Sequence, residues 1–391
     1  MNITKRISLA ALLCAGSALG ADEYLVTDLG SLGDATIAAG INESGVSVGY
    51  AVDVLYRYHG WVNTNGSFDQ VSAMGSMQAQ GQMLGINDFN QSIFASYMLG
   101  MLSTNAVIYN NGMTTSLGMM MPCAINNSDR VVGSRFVIAS NGLRNELACS
   151  WENGVITNLP SLSNATSSLA KGINDAGWVV GSSIQSGAIT PTATLWENTS
   201  AHDLGTLGGA WSQAFAINAS NQVTGIAQTA NAETHAFRFD LDANGSVINR
   251  VDLGALSGGY SVGHAISDEG LIVGSSGNRA VLWENGQLID LNTRIAGDST
   301  WVLNNATGVN ESGQIVGVGA KGGDPFRAFL LTPRVNCAAD LNKDGMLNFF
   351  DVSVLITGYM NQDPIADFNN DGSWNFFDIS AFIMAYNAGC P

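Results

Sequence analysis

Apolar and polar positions repeat along most of this chain with a period of 39 to 49 residues. Each repeat has an apolar residue, then Asn or Ser, a short polar turn, and an alternating β-branched segment that usually ends in Gly. The turn begins at seven positions: Asn42, Asn87, Asn126, Asn174, Asn218, Ser267 and Asn310. Alternation on both sides of a turn indicates a β-hairpin, so the pattern predicts seven of them.

The last turn position supports this interpretation. It is occupied by Gly45, Asn90, Asp129, Gly177, Asn221, Gly270 and Gly313, the residue types that enter the left-handed region most cheaply. A second glycine closes most of the following strands, as at Gly49 and Gly181. A glycine there suits a strand that approaches a neighbouring backbone closely.

Each unit continues with an aromatic strand, as at Leu195-Trp196, and a further strand that ends in Asp-Leu-Gly, as at Asp203-Leu204-Gly205. Four short strands in about 45 residues match a propeller blade. The first unit begins with a spare final strand over 24–30, and the last unit stops after its third strand at 328–331. Pairing the two would cover both sheet edges, so we predict an all-β, seven-bladed β-propeller over 22–335. An open solenoid is the alternative, but its ends would lack caps.

The units resemble the HAF repeats of bacterial extracellular proteins. The resemblance rests on His235-Ala236-Phe237 and on Asp203-Leu204-Gly205, and it extends over about residues 24–333. It implies a repeat fold and an extracellular location, and it assigns no catalytic activity.

Two twelve-residue segments near the end of the chain share a spacing of oxygen-bearing side chains. Asp or Asn stands at positions 1, 3, 5, 9 and 12 of each, and Gly stands at position 6. An EF-hand-type loop wraps Ca²⁺ with this spacing and adds a backbone carbonyl at position 7. The predicted ligands of two Ca²⁺ ions are Asp340, Asn342, Asp344, Met346, Asn348 and Asp351, and Asp367, Asn369, Asp371, Ser373, Asn375 and Asp378.

An apolar-periodic helix is predicted after each loop, over 352–359 and 379–386. Two such loop–helix units resemble a type I dockerin, the calcium-folded module that docks onto cohesin domains. The final Gly389-Cys390-Pro391 resembles the dockerin-like tails of planctomycete secreted proteins. The resemblance implies a small all-α domain over 336–391 and a cohesin-like or cell-surface protein as its partner.

Loop positions 10 and 11, which help dockerins to recognise cohesin, are Phe349-Phe350 and Phe376-Phe377 here. Two adjacent Phe cannot both point inward from the start of a helix. We therefore expect one Phe of each pair to pack in the core and the other to be an exposed partner-binding anchor.

The beginning of the chain and its cysteines indicate export. Residues 1–20 have the charged, apolar and small-residue order of a secretory signal peptide, and no later stretch is long enough to be a transmembrane segment. Beyond residue 20, four cysteines suit disulfides, although four allow three pairings. Cys337 and Cys390 bracket the tail where dockerin termini approach each other, so the resemblance favours a disulfide between them. The pairing of Cys123 with Cys149 stays open.

The charge balance excludes one class of partner. With 15 Lys and Arg against 32 Asp and Glu, the chain has a formal net charge of −17, so nucleic acid is not expected to bind.

The repeats contain no recognisable catalytic motif. Most of their acidic residues recur with the period, which favours structural roles, and the four histidines (His59, His202, His235 and His264) lack metal-ligand spacing. We therefore predict a secreted, non-catalytic propeller for binding or display, docked through its calcium-dependent tail. A polysaccharide-degrading enzyme is one alternative, with Asp53, Asp69 and Asp298 as candidate acids, and a polysaccharide is a possible ligand. A structural cell-surface protein is the other alternative.

Overall fold

The computed structural model describes most of the chain between residues 23 and 389. The described residues are 23–31, 35–71, 80–97, 104–138, 142, 144–197, 199–257, 259–296, 300–334, 337–342 and 347–389. The predicted signal peptide, Asp298, Asp344, Met346 and Cys390 lie outside them. No helix in the described ranges has the length and apolar content needed to cross a membrane.

The described residues up to 334 form strands joined by turns and one short 3-10 segment, Leu291–Thr293. The strands are β1 (Tyr24–Asp28), β2 (Ala35–Ile41), β3 (Ser47–Val52), β4 (Tyr58–Thr64), β5 (Ser67–Val71), β6 (Gln80–Ile86), β7 (Ser92–Tyr97), β8 (Thr104–Asn110), β9 (Met113–Gly118), β10 (Met121–Ile125), β11 (Val131–Ile138), β12 (Arg144–Glu152), β13 (Val155–Asn158), β14 (Ala165–Ile173), β15 (Val179–Gln185), β16 (Thr192–Glu197), β17 (Ser200–Gly205), β18 (Gly208–Ile217), β19 (Gln222–Thr229), β20 (Thr234–Leu241), β21 (Val247–Asp252), β22 (Ser261–Ile266), β23 (Ile272–Ser276), β24 (Arg279–Glu284), β25 (Gln287–Asp290), β26 (Trp301–Val309), β27 (Ile315–Lys321) and β28 (Asp324–Pro333).

These strands pair into four-stranded antiparallel sheets that form a closed ring of seven blades. Six sheets use consecutive strands, from β2–β5 to β22–β25, and the seventh has the order β1-β28-β27-β26. In that sheet Tyr24 pairs with Pro333 and Asp28 with Phe329. Each blade contacts the next, and β2 also contacts β26, β27 and β28. The predicted seven-bladed propeller and the predicted exchange of its first strand are both confirmed, and the open solenoid is wrong.

The hairpin between the first two strands of each blade has the predicted geometry. Its last turn residue has a positive φ in every blade, for example 77° at Gly45 and 59° at Asn90. The strand glycines also behave as expected: a Cβ on Gly49 would lie 2.0 Å from the Ile37 carbonyl oxygen, and one on Gly181 equally close to that of Leu169. No larger residue fits at Gly49 or Gly181, where the two strand backbones approach each other.

The first residue of each turn joins neighbouring blades, which explains why the sequence repeats it. Buried Asn42 donates from Nδ2 to the Asn87 carbonyl oxygen at 3.0 Å, and Asn310 donates in the same way to Asn42 at 3.0 Å. Equivalent bonds join the other turns except that Ser267 is only an acceptor; the donors are Asn87, Asn126, Asn174 and Asn218. This chain of hydrogen bonds, here called the asparagine ring, supports closure at the hairpin face.

A bulge interrupts the first strand of every blade. Pairing with the second strand skips one residue each time, for example Lys171 between Ala170 and Gly172. The seven skipped residues are Ala39, Leu84, Cys123, Lys171, Phe215, His264 and Thr307. Because a bulge re-aims a side chain, it decides what these residues face. All seven line one central cavity.

The apolar core lies between blades. Trp61 and Ala38 of the first blade pack with Val316 and Ala328 of the seventh, which buries the closing interface. Phe237 and Phe239 fill the corresponding space beside the blade that contains Leu195. The alternating apolar positions thus seal each sheet against its neighbour.

The tail is helical, as predicted, with α1 (Phe349–Asn361), α2 (Phe376–Ala388) and a 3-10 segment, Pro364–Ala366. Both helices begin at the Phe pairs, because Asn348 and Asn375 form capping boxes with Asp351 and Asp378.

Candidate functional site

Within the tail, the two predicted calcium loops share one hydrogen-bond pattern. In the second loop, Asp378 Oδ1 accepts from Asn369 N at 3.2 Å and Oδ2 accepts from Asn375 N at 2.8 Å. In the first, Asp351 accepts from Asn342 N at 3.3 Å and from Asn348 N at 2.9 Å. The carboxylate at position 12 therefore reaches back to positions 3 and 9 in both loops.

The opening of the second loop is also bent around its acidic residues. Asp367 Oδ1 accepts from Asp371 N at 3.0 Å, and its Oδ2 accepts from Gly372 N at 2.9 Å. Gly372 has a φ of 78°, which meets the expectation for a sharp turn at position 6. Ser373 follows the turn, where the prediction uses its backbone carbonyl.

The carboxylate at position 12 is buried in both loops. Asp351 and Asp378 are both 0% exposed, and hydrogen bonds from backbone N–H groups, first that of Asn375, hold the pKa of Asp378 below its usual value. In the described part of the tail, no three acidic, His or Cys side chains are grouped closely enough to hold a metal by themselves. A calcium ion would therefore need the predicted Asn and backbone oxygens as well.

The Phe pairs differ from the prediction. Phe349, Phe350, Phe376 and Phe377 are 74%, 65%, 72% and 68% exposed, so no member of either pair packs into the core. The small core is filled instead by residues such as Leu355 and Phe382. Within each pair the rings meet edge to face, with centroids 6.5 and 6.4 Å apart. The expectation of one inward Phe is wrong because the capping box places both residues in the first helical turn, ahead of the core-facing positions.

The cysteines divide into two kinds. Cys337 is buried in the tail core and disulfide-bonded, while its predicted partner Cys390 lies outside the described residues. Cys123 and Cys149 are free thiols on β10 and β12, which β11 separates, so they do not pair with each other.

The propeller has a second candidate site in its central channel. A cavity of about 540 Å³ is bounded by the first strands of all seven blades and by residues of β3, β7, β11 and β12. Its polar lining includes Lys171, Glu146, His264, Cys123 and Ser134, and the rest is mostly aliphatic or aromatic. The sequence pattern does not reveal this site, because these residues do not repeat and lie far apart along the chain. The bulged position, three residues before each turn, was the signal that could have identified it.

Electrostatic interactions connect several of these groups. Ser134 Oγ donates to Glu146 Oε1 at 2.5 Å. Burial raises the pKa of the Cys123 thiol, the charge of Lys171 lowers it, and the charge of Glu146 raises it further. All three residues line the same cavity. Burial lowers the pKa of His264 to about 4, which leaves its ring neutral at pH 7.

The acidic residues proposed for hydrolysis do not meet at this cavity. Asp53 forms a loop contact with Arg57 at 2.6 Å and with His59 at 3.0 Å, and the Arg57 guanidinium holds the pKa of Asp53 well below its usual value. Asp69 is exposed on β5, and Asp298 lies outside the described residues. Among the described lining residues, Glu146 supplies the carboxylate.

No family model and no curated protein sequence matches this chain. Solved structures with similar folds include TolB from Acinetobacter baumannii (12% identity, 74% of this chain, 64% of that chain, TM-score 0.43). They also include a gluconolactonase from Xanthomonas campestris (11%, 66% and 90%, TM-score 0.40) and a puromycin-hydrolysing peptidase from Mycobacterium tuberculosis (10%, 82% and 53%, TM-score 0.46). These values carry no information on activity, and the fold assignment rests on the sheet topology described above.

Proposed function

We propose that this protein is a secreted, non-catalytic β-propeller that a calcium-folded, dockerin-like tail docks onto a cohesin-like or cell-surface protein. The observation that carries the proposal is the exposure of all four phenylalanines at the starts of α1 and α2. Each of these side chains is at least 65% exposed, and they are paired in the same way on both helices. Exposed aromatic clusters of this kind are typical of interaction surfaces.

The calcium requirement is supported by the two matching loops. Asp340, Asn342, Asn348 and Asp351 in the first loop, with Asp344 and the Met346 carbonyl, would hold one ion. Asp367, Asn369, Asp371, the Ser373 carbonyl, Asn375 and Asp378 would hold the other. Bound calcium would supply the positive charge that the buried carboxylates of Asp351 and Asp378 face, and would fix the helix starts that carry the Phe pairs.

A non-catalytic propeller is preferred to a polysaccharide hydrolase for one reason. Glycoside hydrolysis commonly needs two carboxylates that face each other across a cleft. The described lining of the channel contributes Glu146, and Asp53 is already ion-paired elsewhere.

The docking proposal predicts a calcium-dependent capture that the Phe pairs control. The full protein would be used as bait for the envelope and secreted fractions of its source organism, with elution by EDTA. Phe349→Ser combined with Phe376→Ser should abolish capture. Met360→Ser combined with Met384→Ser is the matched control, because those side chains are also exposed on α1 and α2.

The outcomes distinguish specific docking from non-specific binding. A partner retained in calcium by the wild type and the Met variant, and lost by the Phe variant, supports the proposal. Capture that survives the Phe substitutions, or an empty eluate from the wild type, contradicts it.

A further inference from the structure

The residues at the seven bulges differ in chemistry, although the blades share one backbone plan. The asparagine ring and the strand glycines recur because they hold the blades together. The bulged positions, by contrast, carry two small or aliphatic residues, a thiol, a cation, a phenyl ring, an imidazole and a hydroxyl. They surround about 540 Å³, within the range of small-molecule sites. Because the side chains at the bulged positions do not hold the blades together, they can differ from blade to blade according to what they contact in the cavity.

Lys171 is the cation of this cavity. No carboxylate of the described residues forms an ion pair with its ammonium group, whereas Lys321 of the seventh blade is paired with Asp28 at 3.0 Å. An ammonium group that faces a largely apolar cavity gains most from an anion that displaces its water.

Phe215 and His264 provide a stacked aromatic pair on the cavity lining. They stand at the bulges of adjacent blades, and their rings are nearly parallel, at 24°, with centroids 5.9 Å apart. Because the imidazole is neutral at pH 7, Lys171 carries the positive charge of the lining, and the ring pair suits a flat, apolar ligand body.

Glu146 adds a hydrogen-bond acceptor on the same lining. Its Oε1 accepts from Ser134, which fixes the carboxylate. A ligand that reaches both Lys171 and Glu146 needs an anionic group and a hydrogen-bond donor. The remaining walls, including Ile37, Met121 and Leu169, favour an aromatic ring over a sugar, whose hydroxyls would lack partners there.

We infer that the central channel binds a small hydroxylated aromatic carboxylate, with its carboxylate on Lys171, its ring against Phe215 and His264, and its hydroxyl towards Glu146. This site is independent of the proposed docking by the tail.

Calorimetric titration of the purified full protein tests the inference with three probes. These are para-hydroxybenzoate, para-hydroxybenzyl alcohol, which lacks the carboxylate, and glucuronate, which has the same charge on a sugar ring. The wild type should bind para-hydroxybenzoate about tenfold or more tightly than the alcohol, because a charge-assisted bond is lost in the alcohol. The preference should persist in EDTA, which separates this site from the tail.

Two variants locate the site. Lys171→Met should remove the preference for the carboxylate, and Lys321→Met is the matched control that should keep it. Phe215→Leu should weaken both aromatic probes by a similar factor. Circular dichroism and the thermal transition verify the fold of each variant, and the comparison of probes on the wild type needs no variant at all.

Three results would overturn the inference. They are no carboxylate preference in the wild type, an unchanged preference in a folded Lys171→Met variant, or glucuronate binding as tight as that of para-hydroxybenzoate.

Discussion

The propeller and the tail use their apolar residues in opposite ways. In the propeller, Trp61, Phe237 and Phe239 are fully buried between blades. In the tail, the largest side chains of the first helical turns face solvent, and the core is a small cluster around Leu355 and Phe382. A unit of about 55 residues has a small core, and crosslinks or metals commonly add stability at this size. The ring buries its large side chains between blades, whereas we propose that the tail relies on the disulfide of Cys337 and on calcium in addition to its small core.

Calcium removal should give the largest contrast between the two regions. EDTA should unfold the tail and abolish the helical circular dichroism signal, because Asp351 and Asp378 would be buried without their cation, while the β signal persists. Far-UV circular dichroism with calcium titrated back measures both. Asp378→Ala should need more calcium to refold. A helical signal and thermal transition that do not respond to calcium would contradict the prediction.

Breaking the asparagine ring should weaken the propeller alone. Asn310→Ala removes the 3.0 Å bond to the Asn42 carbonyl oxygen and the 2.9 Å bond from Gln314 N. Because the partners stay buried, we expect the free energy of unfolding to fall by about 2–3 kcal/mol in a urea titration. Ser267→Ala is the control, since Ser267 donates no bond to the next blade and should cost under about 1 kcal/mol. Equal effects would show that the ring contributes nothing to closure.

The carboxylates beside that ring should make the propeller more stable in mild acid. Burial raises the pKa of Glu43, and the charges of Glu311, Asp88 and Asp268 raise it further. The folded protein therefore holds this proton more tightly than the unfolded chain, and its stability falls as pH rises through the carboxyl range. Glu43→Gln should stabilise the propeller at pH 7 by a few tenths of a kcal/mol, since solvent screens the site.

This gain should vanish below pH 4.5, the ordinary value for Glu, and should shrink in high salt. Thermal unfolding measured across pH gives the comparison, and Glu152→Gln, an exposed carboxylate on β12, should change nothing. If Glu43→Gln were less stable than the wild type at pH 7, the charge of Glu43 would stabilise the propeller, which contradicts the prediction.

The smallest effect on stability is expected at the Phe pairs. Because all four rings are exposed, Phe349→Ser with Phe376→Ser should change the midpoint of calcium-dependent folding very little, within about 0.5 kcal/mol. A large loss in the same titration would show that the rings support the tail core, and would weaken their assignment to docking.

Local sequence patterns were enough to predict the propeller. The turn that begins at Asn42 needs a residue with positive φ at position 45, which is Gly45. The strand that follows needs Gly49, because the Ile37 carbonyl oxygen lies where a Cβ would be. Each repeat therefore contains the residues that identify its hairpin. Repetition multiplied this signal seven times. The spare strand at Tyr24–Asp28 then identified closure, because an unpaired edge needs a partner.

The tail illustrates where such patterns become insufficient. The spacing of Asn348, Asn375, Asp351 and Asp378 by itself indicates only calcium ligation, and the structure shows that these residues also cap the two helices. The orientation of the adjacent Phe residues depended on where the helices meet their core, which spacing does not define. The helices are also longer than their predicted apolar segments, because the capping boxes begin them at the Phe pairs.

The sequence by itself determined the blade, the closure of the ring and the two acidic loops, because each follows from contacts between residues close in the chain or repeated along it. Only the tertiary structure decided which residues share the central cavity. Lys171, Phe215 and His264 come from three blades, and a bulge turns each of them towards the channel. A bulge changes the direction of one side chain without changing the hydrophobic period, so its effect appears only when the blades are assembled in a ring.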